Sequence, residues 1–141
     1  MAYLLDTNVL SEFLKKAPDK NVIRWISDSD ETQHNISSLT IAEIQKGISK
    51  LPASQRKTNL KVWLDNVIKR YQDRIISFDL KTARIWGETM AVLESRGRPL
   101  PLMDSLLTAT ALQHDLTLVT RNEKDFEHTG VKILNIWAEA S

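Results

Sequence analysis

The chain has 141 residues, 42% of them hydrophobic, with 19 Lys and Arg against 18 Asp and Glu for a formal charge of +1. That length points to a single domain, residues 1–141, with enough apolar material for a core, and the near-neutral balance means that any nucleic-acid partner must be met by local basic patches. Cysteine is absent and there are four scattered glycines, which excludes disulfides, thiolate metal sites, dinucleotide fingerprints and phosphate-cradling glycine loops.

The chain opens on Tyr3-Leu4-Leu5-Asp6-Thr7-Asn8. A short apolar run ended by polar turn residues predicts a buried strand. An amphipathic helix follows from Val9 to Lys15, with Asn8 as its expected N-cap. Asp6 then stands at the carboxyl end of a strand, the rim where open α/β sheets bind ligands. The plain alternative is that Asp6 only caps the helix. A second short helix is expected over Asn21 to Ser29 and a weak strand over Gln33 to Ile36. Ile41 to Leu51 reads as a helix, closed by Gly47 near its end and Pro52 beyond it. Thr40-x-x-Glu43 matches a capping box at its start. Ser54 to Tyr71 places Leu60, Trp63, Leu64, Val67 and Ile68 at helical spacing. Its other face carries Arg56, Lys57, Lys61, Lys69 and Arg70, read as solvated surface or as a match for an acidic partner segment.

Ile75 to Phe78 is the next strand. The helix after it runs to Glu94, with Ala83, Trp86, Met90 and Leu93 on one stripe. Arg96-Gly97-Arg98-Pro99-Leu100-Pro101 must be a loop. Ser105 to His114 is apolar nearly all round and predicts a buried helix. Leu116 to Val119 is a central strand, Asp125-Phe126 lies in a turn, and Val131 to Leu134 is a last strand. Strands separated by helices predict an α/β fold: three layers around a mainly parallel sheet of about five strands. The amino terminus lacks the basic and apolar regions of a signal peptide, and no apolar run approaches the roughly 20 residues that span a bilayer. A soluble cytoplasmic protein without membrane contact is expected.

Three acids fall at comparable places: Asp6 after the first strand, Glu43 in the helix from Ile41, and Asp104 where the proline-rich loop enters the buried helix. Asp125 is a fourth. Each has a local reading as a cap or turn residue. As a set at one sheet rim they would repel one another and raise each other's pKa, a penalty that a hard divalent cation removes. Oxygen ligands without Cys suit Mg²⁺ or Mn²⁺, and His34, His114 and His128 are too scattered for a zinc site. Acid clusters holding such ions commonly serve phosphate chemistry.

Four stretches carry a resemblance. They are Tyr-Leu-Leu-Asp-Thr-Asn-Val-Leu-Ser-Glu at the start, Ser-Ser-Leu-Thr-Ile-Ala-Glu-Ile in the middle, Pro-Leu-Met-Asp-Ser-Leu-Leu-Thr-Ala-Thr-Ala, and Leu-Val-Thr-Arg-Asn-Glu-Lys-Asp-Phe. In this order and at these separations they resemble the motifs of PIN-domain ribonucleases, and most closely the VapC/FitB-like toxins of toxin–antitoxin pairs. The resemblance covers essentially the whole chain. It implies a metal-dependent ribonuclease, usually a homodimer, held inactive by a VapB-like antitoxin that alone binds operator DNA. Carried over by position, Asp6, Glu43 and Asp104 match the three principal metal-binding, catalytic acids. Thr7, Asn8 and Thr120 match supporting polar residues. Many relatives carry a fourth acid where this chain has Asn122, leaving Asn122 or Asp125 to fill that place. Asp6 and Asp104 are expected to hold the main ion and Glu43 to orient its waters. Arg96, Arg98 and Arg121 are expected to contact RNA phosphates. Three rival readings are an aspartate-nucleophile phosphatase, a phospho-accepting receiver domain and a non-catalytic interaction module. The first would want a second Asp where Asn8 stands, and the second a paired acid after the first strand.

Overall fold

The computed structural model describes residues 1–138. Five short strands form one sheet: β1 (Tyr3–Leu5), β2 (His34–Ser37), β3 (Ile75–Ile76), β4 (Thr117–Val119) and β5 (Ile133–Leu134). Their order is β3-β2-β1-β4-β5 and every pairing is parallel. The helices are α1 (Thr7–Glu12), α2 (Lys20–Asp28), α3 (Ser38–Ser49), α4 (Gln55–Arg70), α5 (Leu80–Ser95), α6 (Leu102–His114) and α7 (Glu123–Phe126). Short 3-10 turns at Glu31–Gln33 and Gln72–Arg74 lead into β2 and β3. The expected α/β architecture is present, with the sheet wholly rather than mainly parallel.

Strand side chains alternate between faces, and the core divides accordingly. Leu5, Ile36 and Val119 pack with Val9, Leu10, Val22, Ile44, Ile48 and Leu64 from α1–α4. Leu4 and Leu118 pack on the opposite face with Leu107 and Ala111 of α6 and Phe126 of α7. Leu4, Leu5, Leu118 and Val119 are fully buried. Each such side chain contributes roughly 1.5–3 kcal/mol of burial energy, so β1 and β4 sit at the best-anchored point of the sheet. Apolar runs on both faces are what a covered parallel sheet requires. Among the described residues, no helix is long and apolar enough to cross a membrane.

Several boundaries differ from the sequence reading, for local chemical reasons. Asp6, not Asn8, caps α1, because its carboxylate accepts from the Thr7 amide at 2.7 Å. The third helix begins at Ser38 with Ser37 as N-cap, its hydroxyl accepting from the Leu39 amide at 3.0 Å. The capping box at Thr40 and Glu43 therefore does not form. Helix α5 has a true capping box at Asp79 and Thr82, which buries Thr82 and leaves Ala83 exposed on the predicted stripe. Asp104 is not a cap either: Pro101 precedes the helix and Asp104 is its third residue.

The loop before α6 is fixed at its start. After Leu93 the backbone closes with Gly97 N–H donating to Glu94 O at 3.0 Å and Arg98 N–H to Leu93 O at 2.8 Å. Gly97 has φ 67°. This paired closure needs a left-handed residue just past the helix, where glycine carries no steric cost. At the far end, Trp86 Nε1 donates to Ser105 Oγ at 2.8 Å, tying α5 to the first turn of α6.

Candidate active site

The strand order reverses between β1 and β4, so a crevice opens beyond their carboxyl ends. Register then sets the side chains. Leu5 pairs with Val119, and the Asp6 amide donates to Val119 O at 3.0 Å. This brings Asp6 beside Thr120, whose hydroxyl donates to Asp6 Oδ2 at 2.7 Å in a buried setting. Asn8 Nδ2 reaches both Asp6 Oδ2 and Thr120 Oγ1 at 3.4 Å. The Asn122 amide donates to Thr120 Oγ1 at 3.2 Å. Across the crevice, Thr7 Oγ1 donates to Glu43 Oε1. Asp6 is 7% exposed; Glu43 and Asp125 are exposed and Asp104 is half-buried.

The charges of Glu43 and Asp125 act on Asp6 and Asp104. Burial pushes the Asp6 carboxyl above its usual range. The bonds from Thr120 and Thr7 oppose that rise, and repulsion from Glu43 and Asp125 adds to it. Asp104 is raised to about 6, first by burial and then by the charges of Asp6, Asp125 and Glu43. Taking a carboxylate out of water and placing it near others of the same sign disfavours its ionised form. No group of three or more acidic or histidine side chains among the described residues forms a ready-made ion cage. The convergence expected from sequence is thus one of shared field, with Thr7 and Thr120 bridging or bracing individual acids.

The residues present nonetheless suit a hard cation. The donors are oxygens only, the set matched to Mg²⁺ or Mn²⁺. Mg²⁺ keeps several waters and takes one or two carboxylates, so a closed cage is not required. Asn8 Oδ1 is buried beside Asp6 without a donor, adding further negative potential. A cation would relieve the repulsion that raises Asp104.

The three arginines singled out by sequence go different ways. Arg98 lines a cavity of about 320 Å³ together with Asp125. Arg121 places its guanidinium 5.8 Å from the Trp137 ring centroid, toward the carboxyl-terminal segment. Arg96 forms the exposed C-cap of α5. The sequence reading missed Lys124, which lines the same cavity as Arg98; its signal was a lysine directly before Asp125. It also missed Glu12, 4% exposed and paired with Lys15 at 2.7 Å. Glu12 accepts from the Asp19 amide at 3.1 Å and pins the α1–α2 connection.

An all-parallel sheet with paired acids at its switch point defines a class. The PIN-domain family model matches residues 3–132, and the chain belongs to that family. It is 33% identical over 138 residues to the VapC ribonuclease Y4jK of Sinorhizobium fredii, covering 97% of this chain and 99% of that protein. It is 31% identical over 135 residues to the toxin FitB of Neisseria gonorrhoeae, covering 95% and 97%. The solved structure of FitAB bound to an IR36 DNA fragment matches with a TM-score of 0.92 and 28% identity, over 99% of this chain and 98% of that one.

Proposed function

We propose that the chain is the toxin of a toxin–antitoxin pair, a ribonuclease that hydrolyses RNA phosphodiester bonds with a divalent cation, Mg²⁺ or Mn²⁺. The observation that carries this reading is the shared field of Asp6, Glu43, Asp104 and Asp125 in a member of the PIN-domain family. When bound, the cation would supply a polarised water and stabilise charge on the phosphate oxygens. Asp6 and Asp104 are the proposed ligands. Asp6 is held in one orientation by Thr7, Thr120 and Asn8. Asp104 projects from the first turn of α6, behind the fixed Gly97 loop. Glu43, exposed and accepting from Thr7, is the proposed acceptor of a hydrogen bond from an incoming water. Asp125 stands in for the fourth acid, since the family's usual place is filled by Asn122, whose amide bonds Thr120. Arg98 and Arg121 each line a cavity shared with Lys124 and Asp125, which supports both as phosphate contacts.

A VapB-like antitoxin is the proposed inhibitor, a homodimer the proposed assembly, and operator DNA a partner only through the antitoxin. The solved FitAB relative is bound to DNA. The test combines cleavage and growth. Purified protein should cut RNA in Mg²⁺ and stop in excess EDTA. Asp6→Asn and Asp104→Asn should each lose at least about 100-fold in rate, the scale on which electrostatic stabilisation of a transition state acts. Expression should arrest growth, and Asp6→Asn should relieve it. Cleavage that persists in EDTA would remove the metal mechanism. Arrest that survives Asp6→Asn would favour a non-catalytic module.

A further inference from the structure

The cavity beside Asp125 is built from two walls. One is the turn from Leu93 through Pro101, with Pro99, Leu100 and Pro101 giving an apolar surface over the buried Leu93, and Arg98 a cation. The other is the α7 segment, with Lys124 and Asp125. The volume of about 320 Å³ falls within the roughly 300–1,000 Å³ range of small-ligand sites. The first wall is stiff: Arg98 N–H bonds Leu93 O at 2.8 Å and two prolines follow. Arg98 and Lys124 are both exposed, and neither forms an ion pair among the described residues. Two acids stand at the rim: Glu127, 3.2 Å from the His128 ring, and Asp125, whose charge bears on Asp104.

We propose that this cavity binds one nucleotide of the RNA, next to the bond being cut, with its base on the proline–leucine surface and its phosphate between Arg98 and Lys124. The inference rests on the ribonuclease reading for the identity of the strand, but the ligand chemistry follows from the cavity itself. An apolar plate beside two free cations matches the two halves of a nucleotide. Mostly apolar walls with a few placed polar groups are how small-ligand pockets hold their occupants, and cationic grooves track the phosphates of single strands. Asp125 lines the cavity and its charge also reaches Asp104, so the nucleotide held here is taken to be the neighbour of the reacting phosphate. The cavity is therefore where base preference at one flanking position would be set.

The test titrates the four nucleoside 5′-monophosphates, and inorganic phosphate separately, into the ¹⁵N-labelled full chain. Amide signals of Gly97, Arg98, Leu100 and Lys124 to Thr129 should shift, with at least one nucleotide binding more tightly than phosphate. Arg98→Ala with Lys124→Ala changes only exposed side chains and should weaken that binding at least about tenfold while leaving the melting temperature unchanged. The same double variant should raise KM for RNA, flatten base preference at one position flanking the cut, and lower the salt slope of binding by about 0.7 for each lost contact. Shifts confined to other parts of the chain, or phosphate binding as tightly as every nucleotide, would overturn the assignment. So would unaltered KM and base preference in the double variant. A chain that binds nucleotides here but cuts no RNA would keep the cavity and sink the ribonuclease reading instead.

Discussion

At the scale of single residues, Thr120 bears most directly on Asp6. Its hydroxyl gives the side-chain bond that holds the Asp6 carboxyl against the upward push of burial. Thr120→Val keeps the shape and removes the donor. The Asp6 pKa should rise further, and activity should fall about 10–100-fold, as when an outer partner of a metal ligand is lost. An unchanged rate and pH profile would show that Thr120 does not orient Asp6. Asp104 makes a pH prediction with a definite sign. Its pKa is raised from 3.8 to about 6 on folding, so the folded state binds the extra proton between those values. Its contribution to stability is complete below about pH 4 and is lost as pH rises through about 6. A cation favours the ionised form and opposes that loss. The Mg²⁺-induced rise in melting temperature should therefore be larger at pH 7.5 than at pH 5, and Asp104→Asn should reduce the difference. An equal Mg²⁺ effect at both pH values would contradict the role given to Asp104.

At the scale of elements, α3 shows where sequence patterning misleads. Ser37, Ser38 and Thr40 can each cap a helix, and Glu43 completes a capping box only from Thr40. Sequence alone could not choose among three hydroxyls within four residues. Tertiary packing did: Thr40 is buried inside the helix with its hydroxyl lacking a partner, and Ser37 takes the cap. That choice turns Glu43 toward Thr7 and so toward the crevice. Ser37→Ala should cost about 1 kcal/mol, as N-cap losses do. Thr40→Val should be neutral or stabilising, because it removes an unsatisfied buried hydroxyl. The reverse order in chemical denaturation would restore Thr40 as the cap. Elsewhere the elements were legible because apolar runs and breakers were unambiguous. The strand before Asp6 and the loop from Arg96 to Pro101 are the best examples. The cavity at Lys124 was not legible: an exposed lysine in a short helix carries no periodic signal, and its meaning depends on a loop more than twenty residues earlier.

At the scale of the whole molecule, the position of Asp6 follows from topology rather than from its neighbours in sequence. The four acids come from four separate connections, and the parallel order β3-β2-β1-β4-β5 lets the charges of Glu43 and Asp125 reach Asp6 and Asp104. The sequence pattern predicted the strand ends but not which strands would lie side by side. Strand adjacency between β1 and β4 arises from pairing across more than a hundred residues, which no local pattern encodes. The two-sided core explains why the pairing holds: Leu4 and Leu118 face one layer, Leu5 and Val119 the other.

Placing the amino-terminal strand between β2 and β4 also has a consequence for synthesis. Tyr3 to Leu5 is made more than a hundred residues before Thr117 to Val119, so one of its edges stays open until that later strand has emerged. Long-range parallel pairing forms late, after its loop-closure entropy has been met. A growing polypeptide on the ribosome therefore holds Asp6 without the threonine that orients it. A chain stopped before residue 117 carries an unpaired central edge and should be a target for proteolysis or aggregation. Until β4 has emerged, the most buried of the four acids lacks its fixed orientation, so synthesis itself defers completion of the site to that strand.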